Sequence, residues 1–488
     1  MSLAKMAAAF LKVGVVGFGG GSALIPVVEK ELVRERGLLD AALYEEHTIV
    51  ANITPGALPV KLGAAAGEVC GGAFGAVLCA MAVALPGTLA TVALLATMSA
   101  LPSGALLYIE LAAIGILTFI LLVLAGYIRS VYKTAVRGGF GGTAGAAMIA
   151  ACLLTAGKEL RLLAHMLFPA LANVLPAQPW LDLSAIDMLL LAFFVIFGTN
   201  GKPGKARRAA VWFLAAVFAL LKSKFMPIPF PFALPAAGAT MLGIAVYSVL
   251  RDMHGQESAA PMGATARTAL IASAVFLGLP LSLSAAAVLC GFADAGFFVQ
   301  AALSAATSFG GGEAYVAVAD SVFTGGGYIT REALYTQILP VANALPGPIL
   351  VKVQAGVGYM VGLAGGGLFG GLLVSLACFC VGVGATSAVF LAVYLLYRRF
   401  SSLTVFSRLK RYILPIVCGL LLTTMLAMAE SMLQTCGKIA MPVPMGLAVI
   451  AALAAAGHFA EKKLPDAACV ALLGTAALSA MLIWQRLA

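Results

Sequence analysis

The chain has 488 residues, of which 62% are hydrophobic and only 10% are charged. A mean hydropathy of +1.04 excludes an ordinary soluble protein and predicts a polytopic membrane protein, with the lipid bilayer as its surroundings. The formal charge of +10 does not indicate a nucleic-acid partner, because the basic residues cluster in short connections between apolar segments, as in the cytoplasmic loops of membrane proteins.

The first predicted element is an apolar segment over residues 3–27. An early lysine followed by an apolar run also fits a signal peptide. The run continues past the usual length of a signal-peptide core, and no small-x-small cleavage site follows it. A retained first membrane span is therefore expected.

The stretch "ANITPGALPVKLGAAAG" at residues 51–67 interrupts the apolar pattern with Asn52, a helix-breaking Pro55-Gly56 pair and Lys61. Unpaired backbone groups cost several kcal/mol in hydrocarbon, so a break at membrane depth is expected only against protein or a water-filled cavity. A half-helix that starts near Pro55 would direct free N–H groups and the positive end of its dipole into that cavity. Such an arrangement attracts anions.

Two later segments, residues 68–101 and 360–397, are long enough to be tilted, broken or split in two, which leaves the number of crossings open. The stretch "RDMHGQESAAPMGATART" is the clearest polar connection. We therefore predict an N-terminal repeat with extra membrane segments over 1–250, a linker over 251–267 and a C-terminal repeat over 268–488.

The prediction of repeats comes from the sequence compared with itself. A shift of 291 residues aligns "FGGGSA" with "FGGGEA" and "VANITPGALPVK" with "VANALPGPILVK". About 21 of the 58 aligned positions from Phe18 to Gly75 are identical, which predicts a fused tandem duplication. After the first span, Lys30, Arg34 and Arg36 correspond to a connection with Arg331 alone. After the long segment the charge bias reverses, because residues 100–104 carry no charge, whereas the counterpart segment is followed by Arg398, Arg399, Arg408, Lys410 and Arg411. The predicted fold is an all-α polytopic membrane protein whose two repeats are inverted and contain broken or re-entrant helices at the Pro-Gly motifs.

The second copy of the break places Asn343, Pro346-Gly347 and Lys352 opposite the first. A lysine inside a membrane segment costs about 3 kcal/mol, so two at matched positions suggest a purpose. Near a pseudo-symmetry axis, they would supply two positive charges to one small divalent anion. The alternative is structural: each lysine reaches an interface or pairs with a nearby carboxylate.

Further candidates flank these breaks. The glycine triplets could expose N–H groups to a substrate or allow close helix contact, and they lack the context of a nucleotide loop; they are Gly19, Gly20, Gly21, Gly310, Gly311 and Gly312. Carboxylates in or beside these elements are candidates for proton coupling; they are Glu29, Glu68, Glu313 and Asp320. The last three are also the candidates for structural pairing with the lysines. The spacing of cysteines and histidines predicts no metal site, cofactor or catalytic constellation, so an enzyme is not expected.

The quoted motifs, with "FGGGSALIPVVEKELVRERGLL" and "NALPGPILVKVQAGVGY", resemble the chromate ion transporter family. In that family, long chains are fusions of two homologous halves, and short ones work as pairs. The resemblance implies export of chromate across the bacterial cytoplasmic membrane, coupled to an ion gradient or to exchange with sulfate. Because Pro55-Gly56-Ala57 stands where the family has Pro-Gly-Pro, sulfate or another oxyanion stays open as substrate. An anion channel on the same scaffold and a homo-oligomeric state also stay open.

Overall fold

A computed structural model describes residues 2–17, 24–168, 183–200, 204–222, 233–254, 263–309, 312–399 and 404–487. Regular secondary structure in these ranges is helical throughout, as expected for an all-α membrane protein. The helices are α1 Leu3–Val16, α2 Leu24–Glu29, α3 Ala41–Ile53, α4 Leu58–Ser99, α5 Ser103–Arg137, α6 Gly141–Thr155, α7 Gly157–Leu167, α8 Ala185–Gly198, α9 Lys205–Lys222, α10 Ala233–His254, α11 Gly263–Leu289, α12 Ala295–Thr307, α13 Gly312–Ala319, α14 Leu339–Ala344, α15 Ile349–Arg399, α16 Thr404–Gly437, α17 Val443–Ala460 and α18 Asp466–Leu487.

Seven helices in the described part of the chain are long and apolar enough to cross a membrane; they are Leu58–Ser99, Gly104–Arg137, Ala266–Leu289, Ile349–Arg399, Arg411–Gly437, Val443–Ala460 and Asp466–Arg486. The predicted first span is not among them. Helix α1 has 14 residues and ends before Gly17, whose backbone is extended. At 1.5 Å per residue it is about 21 Å long, shorter than a ~30 Å hydrocarbon core.

The two longest helices, α4 and α15, are sharply broken near their middles. Gly71 (φ −146°, ψ 23°) and Gly72 (φ 59°, ψ −145°) leave helical geometry in α4. Gly366 (φ −150°, ψ 25°) and Gly367 (φ 59°, ψ −153°) do the same in α15. The second glycine of each pair has a positive φ, which residues with a Cβ rarely adopt, so these positions favour glycine.

The break folds each long helix into a hairpin of two antiparallel arms. A Cβ added to Gly67 would lie only 2.1 Å from the carbonyl oxygen of Gly75, on the far side of the break. In α15, a Cβ on Gly362 would lie 2.2 Å from the carbonyl oxygen of Gly370. Because a missing side chain lets two backbones approach, these glycines set the spacing of the arms.

The structure also corrects the register of the repeat. The shift that pairs the Pro-Gly motifs and the lysines does not pair the helix breaks, because Gly366 lies about one helical turn beyond the position that matches Gly71. The arm that carries Lys352 is therefore longer than the arm that carries Lys61 by the same amount. An ungapped comparison misaligns the second arms, and residues there correspond at a separation of 295.

The described chain contains two compact units, each discontinuous in sequence. One contains residues 1–126, 263–395 and 428–488, and the other contains 127–262 and 396–427. The first unit holds both Pro-Gly motifs and both hairpins. The second has its own apolar core, built from α8, α9 and α10 around Phe194, Val211 and Phe218. Residues 255–262 of the predicted linker lie outside the described residues.

Candidate functional site

The two Pro-Gly motifs adopt the same backbone conformation. After α3, Thr54 is extended (φ −102°, ψ 150°), Gly56 has φ +98°, and α4 begins at Leu58. After α14, Leu345 is extended (φ −108°, ψ 150°), Gly347 has φ +96°, and α15 begins at Ile349. Each new helix begins three residues beyond the proline, later than the sequence predicts. The proline cannot donate a backbone hydrogen bond and the glycine supplies the positive φ, so together they end one helix and reorient the chain for the next.

Reciprocal hydrogen bonds connect each Pro-Gly break to the other repeat. The backbone N–H of Gly56 donates to the carbonyl oxygen of Ser308 at 2.6 Å, and the N–H of Gly347 donates to the carbonyl oxygen of Gly17 at 2.9 Å. The shift that pairs Gly56 with Gly347 also pairs Gly17 with Ser308. Each Pro-Gly motif therefore bonds to the equivalent point of the other repeat, just after its first helix.

Each break also packs against a hairpin arm of the other repeat. A Cβ on Gly56 would lie 2.6 to 2.9 Å from the side chain of Thr386 in α15. A Cβ on Gly87 in α4 would lie 2.0 Å from the carbonyl oxygen of Pro346 and 3.2 Å from Cδ of Lys352. Both contacts favour glycine, because a Cβ on Gly87 would clash with the Pro346 backbone and a Cβ on Gly56 would clash with the Thr386 side chain.

The paired lysines lie in the first arms of the hairpins and are only 2% and 1% exposed. The ammonium of Lys61 donates to the carbonyl oxygens of Ala51 at 2.5 Å and Thr54 at 2.8 Å. The ammonium of Lys352 donates to the carbonyl oxygen of Leu345, the equivalent of Thr54. Each lysine therefore caps the end of the helix before its own break, where carbonyl groups lack helical partners and the dipole favours a cation.

The paired asparagines have an equally local role in the fold. Nδ2 of Asn52 donates to the carbonyl oxygen of Thr48 at 2.8 Å, and Nδ2 of Asn343 donates to that of Leu339 at 2.9 Å. Both bonds reach one turn back along the helix that ends at the break. Of the glycine triplets, Gly19 to Gly21, Gly310 and Gly311 lie outside the described residues, and Gly312 begins α13.

Both breaks lie in regions of the chain that match a known protein family, and the match covers most of the chain. A family model described as "Chromate transporter" matches residues 4–244 and 295–481. The chain belongs to the chromate transporter family. Membership assigns this membrane protein to anion transport rather than to enzymes.

Individual relatives agree with this assignment. An uncharacterized transporter from Bacillus subtilis, YwrB, is 32% identical over 140 residues, which is 29% of this chain and 70% of that protein. A probable chromate transport protein from Synechococcus elongatus is 39% identical over 93 residues, or 19% of this chain and 24% of that protein. A second Bacillus subtilis transporter, YwrA, is 32% identical over 87 residues, or 18% of this chain and 49% of that protein. No solved structure matches the chain.

The carboxylates considered for coupling in this transporter have different surroundings. Glu29 ends α2 and forms an exposed ion pair with Arg34 at 2.7 Å. Glu68 is buried near the break in α4 and accepts a hydrogen bond from Thr268 at 2.9 Å. Asp320 pairs with Arg331 at 3.4 Å. The backbone of Glu313 lies in α13, and its side chain lies outside the described part of the structure.

The sequence did not predict two groups of ion pairs in the transporter, each centred on one basic residue. Arg331 bridges Asp320 and Glu430, with its guanidinium 3.0 Å from the Glu430 carboxylate. Lys438 similarly bridges Glu110 at 2.8 Å and Glu332 at 2.5 Å. Burial opposes the charge of Lys438, but hydrogen bonds to both carboxylates raise its pKa above the ordinary value. Single carboxylates inside the apolar helices α5 and α16 were the available signal.

A third charge cluster involves the π-helical segment Lys30–Glu35, which directly follows α2. Glu31 is buried and contacts Lys12 and Arg36, each at 2.5 Å. Burial acts to raise the pKa of Glu31, but the hydrogen bonds and charges of the two basic residues lower it below the ordinary value. Among the described residues, no group of three or more His, Cys, Asp or Glu side chains could hold a metal ion.

Proposed function

We propose that this transporter exports chromate across the bacterial cytoplasmic membrane by secondary active transport, through a site between its two repeats. The observation that carries the proposal is the pair of Pro-Gly breaks, each bonded to the other repeat and each followed by a buried lysine. Broken helices with buried charge are how membrane transporters build ion and substrate sites.

The two lysines are proposed to provide the positive charge of this site. The hydrogen bonds described for their ammonium groups go to neutral carbonyl oxygens, which orient the charge but do not cancel it. An ammonium has three N–H donors, and Lys61 directs two of them at carbonyl oxygens. A divalent oxyanion between the repeats would accept the remaining donor and lie near the N-termini of α4 and α15.

Transport is proposed to proceed by rocking of one repeat against the other. The bonds from Gly56 to Ser308 and from Gly347 to Gly17 join the repeats through two equivalent points. Opening one contact while the other stays closed would expose the site to one side of the membrane at a time. Inverted repeats convert this asymmetry into alternating access, because exchanging their conformations exchanges the open side.

Coupling to protons is proposed to involve a carboxylate beside a break. Glu68 is the candidate with a described buried side chain, and Glu313 directly follows the second glycine triplet. Glu68→Gln and Glu313→Gln should each flatten the pH dependence of transport if their carboxyl groups carry the coupled proton. Glu29→Gln is the matched control, because Glu29 is exposed and paired with Arg34. A pH profile unchanged by both test substitutions would remove these residues from the coupling pathway.

Flux measurements in liposomes test the substrate and the mechanism. Purified protein should move isotope-labelled chromate, saturate at carrier rates, and respond to an imposed pH gradient or to sulfate on the opposite side. Faster movement of sulfate than of chromate would change the substrate to sulfate, which has the same charge and shape. Flux far above carrier turnover without gradient coupling would identify a channel. Absence of flux for both anions would overturn the proposal.

A further inference from the structure

The two repeats differ in polarity where α12 and the second arm of α15 meet the first Pro-Gly break. Ser304 lies in α12, and Ser308 directly follows the end of that helix. Under the shift that pairs the Pro-Gly motifs, they correspond to Val13 and Gly17 in the first repeat. Further pairs follow the separation of 295: Thr386 corresponds to Thr91, and Ser387 to Val92. The first repeat has no hydroxyl group at the positions of Ser304, Ser308 and Ser387, so the fold does not require hydroxyl groups there.

Three of the hydroxyl groups in the second repeat are buried and lack a hydrogen-bond partner among the described residues. They are Oγ of Ser308, Oγ1 of Thr386 and Oγ of Ser387, in residues that are 1%, 0% and 0% exposed. Thr91 shows what a helical threonine ordinarily does, because its Oγ1 donates to the carbonyl oxygen of Gly87 at 2.8 Å. Leaving a buried hydroxyl unpaired costs about 1–3 kcal/mol, so such groups call for an explanation.

Two of these residues meet at the first break. The carbonyl oxygen of Ser308 accepts from the N–H of Gly56, and the Thr386 side chain lies against the same glycine. One helical turn before Thr386, a Cβ added to Gly382 would lie 2.4 Å from Oε1 of Gln354, whose Nε2 donates to Ser304 at 2.9 Å. Positions four apart lie on the same face of a helix. The polar groups at Thr386 and those beside Gly382, from Gln354 and Ser304, therefore form two adjacent layers along one side of α15.

We propose that the hydroxyl groups of Ser308 and Thr386, together with the N-terminus of α4 beyond Gly56, form an oxyanion-binding subsite. This inference rests on the proposed function and assigns residues to its substrate site. Hydroxyl groups donate to anions without adding negative charge, and the first turn of a helix adds free N–H groups. The ligand class is a tetrahedral oxyanion such as chromate or sulfate.

The subsite has to open to accept its ligand. Thr386 packs directly on Gly56, with no space for even a Cβ between them. Separation of the first break from the second arm of α15 would free both hydroxyl groups and the start of α4 together. The same separation breaks the Gly56 to Ser308 bond, so binding at the subsite is coupled to movement between the repeats.

Thr386→Val tests the inference, with Thr91→Val as its matched control. Both changes replace a hydroxyl by a methyl group at equivalent positions, but Thr91 already bonds within its own helix. Hydrogen bonds to charged groups are among the stronger ones, so Thr386→Val should raise the KM for chromate about tenfold. Thr91→Val should change it less than twofold, and Thr386→Ser should restore the KM.

A binding measurement accompanies the flux assay. Chromate should protect the detergent-solubilised wild type from thermal unfolding, and Thr386→Val should require about tenfold more chromate for the same protection. Ser308→Ala, which removes a single oxygen, provides the same test if Thr386→Val does not fold. Equal effects of Thr386→Val and Thr91→Val in a wild type that transports chromate would overturn the subsite alone. A wild type that neither binds nor moves chromate or sulfate would overturn the proposed function and the subsite with it.

Discussion

Among single residues, the glycines of the Pro-Gly motifs show most clearly why one residue type is needed. Gly56 combines a positive φ with a neighbour, Thr386, that leaves no room for a Cβ. Gly37 also has a positive φ of 55°, but nothing lies within 4 Å of its Cβ position. The two positions therefore separate the cost of backbone strain from the cost of a steric clash.

Gly56→Ala should lower the midpoint of thermal unfolding by several degrees more than Gly37→Ala. Strain at a positive φ costs roughly 1–2 kcal/mol at either position, whereas only Gly56→Ala adds a clash with Thr386. The measurement is thermal unfolding of the purified variants in one detergent. Equal shifts would show that the first break and α15 are not in tight contact.

The lysines illustrate what sequence can and cannot predict for individual side chains. Matching Lys61 with Lys352 required only the repeat, and burial followed from the apolar segments around them. Their hydrogen bonds to Ala51, Thr54 and Leu345 were not predictable, because they depend on how sharply the chain turns at each Pro-Gly pair. The same turn explains how the buried ammonium groups are tolerated, because it places carbonyl oxygens within hydrogen-bond distance of them.

Among the helices, ion pairs of Arg331 connect the segment between α13 and α14 to α16. Arg331 bridges Asp320 and Glu430, and the Glu430 side chain is only 4% exposed. The pair of Glu29 and Arg34 is much more exposed, at 35% and 72%. Burial decides how much such a pair contributes to the free energy of unfolding. Water screens the attraction between exposed charges, whereas a buried charge is strongly destabilising when its partner is removed.

Glu430→Gln should therefore lower the free energy of unfolding by about 3 kcal/mol, since it leaves part of the Arg331 charge unpaired. Glu29→Gln should change it by less than about 1 kcal/mol. Chemical unfolding of the wild type, Glu430→Gln, Arg331→Gln and the variant with both changes completes a double-mutant cycle. Glu29→Gln is measured beside them as the control. Additive effects in that cycle would contradict a direct interaction between the two side chains.

The hairpins show where sequence prediction of helices stops. Apolar length alone indicated that segments 68–101 and 360–397 were too long for simple spans. The position of each break depends on Gly71-Gly72 and Gly366-Gly367, which look like other glycines in a glycine-rich chain. Contacts between the two arms select one pair among many, and those contacts are not local in sequence.

For the chain as a whole, the duplication predicted both breaks, and its charge pattern predicts inverted repeats. The equivalent turns at Gly37 and Gly327 both have positive φ and open space at the Cβ position. They are therefore suitable for labelling without disturbing contacts. Reciprocal bonding of the breaks was not predictable, because a self-comparison of sequence shows which residues are equivalent and not which ones touch.

Gly37→Cys and Gly327→Cys should react from opposite sides of the membrane in a background without the nine native cysteines. The basic residues beside Gly37 predict a cytoplasmic position for that turn, so we expect an impermeant thiol reagent to label only Gly327→Cys in intact cells. Both positions should react after the membrane is opened. Labelling of both from one side would exclude inverted repeats.

The proposed function requires that an oxyanion crosses the membrane at the two Pro-Gly breaks and binds there to the positive charges of Lys61 and Lys352. The decisive experiment is isotope-traced chromate flux in liposomes containing wild type, Lys61→Gln, Lys352→Gln or the exposed control Lys5→Gln. We expect saturable flux for wild type and control, and at least a tenfold loss for each buried-lysine variant that still folds. The reason is that a charge-assisted hydrogen bond to the substrate is among the strong ones, and its loss weakens binding accordingly. Wild-type flux in folded Lys61→Gln and Lys352→Gln would contradict the proposal.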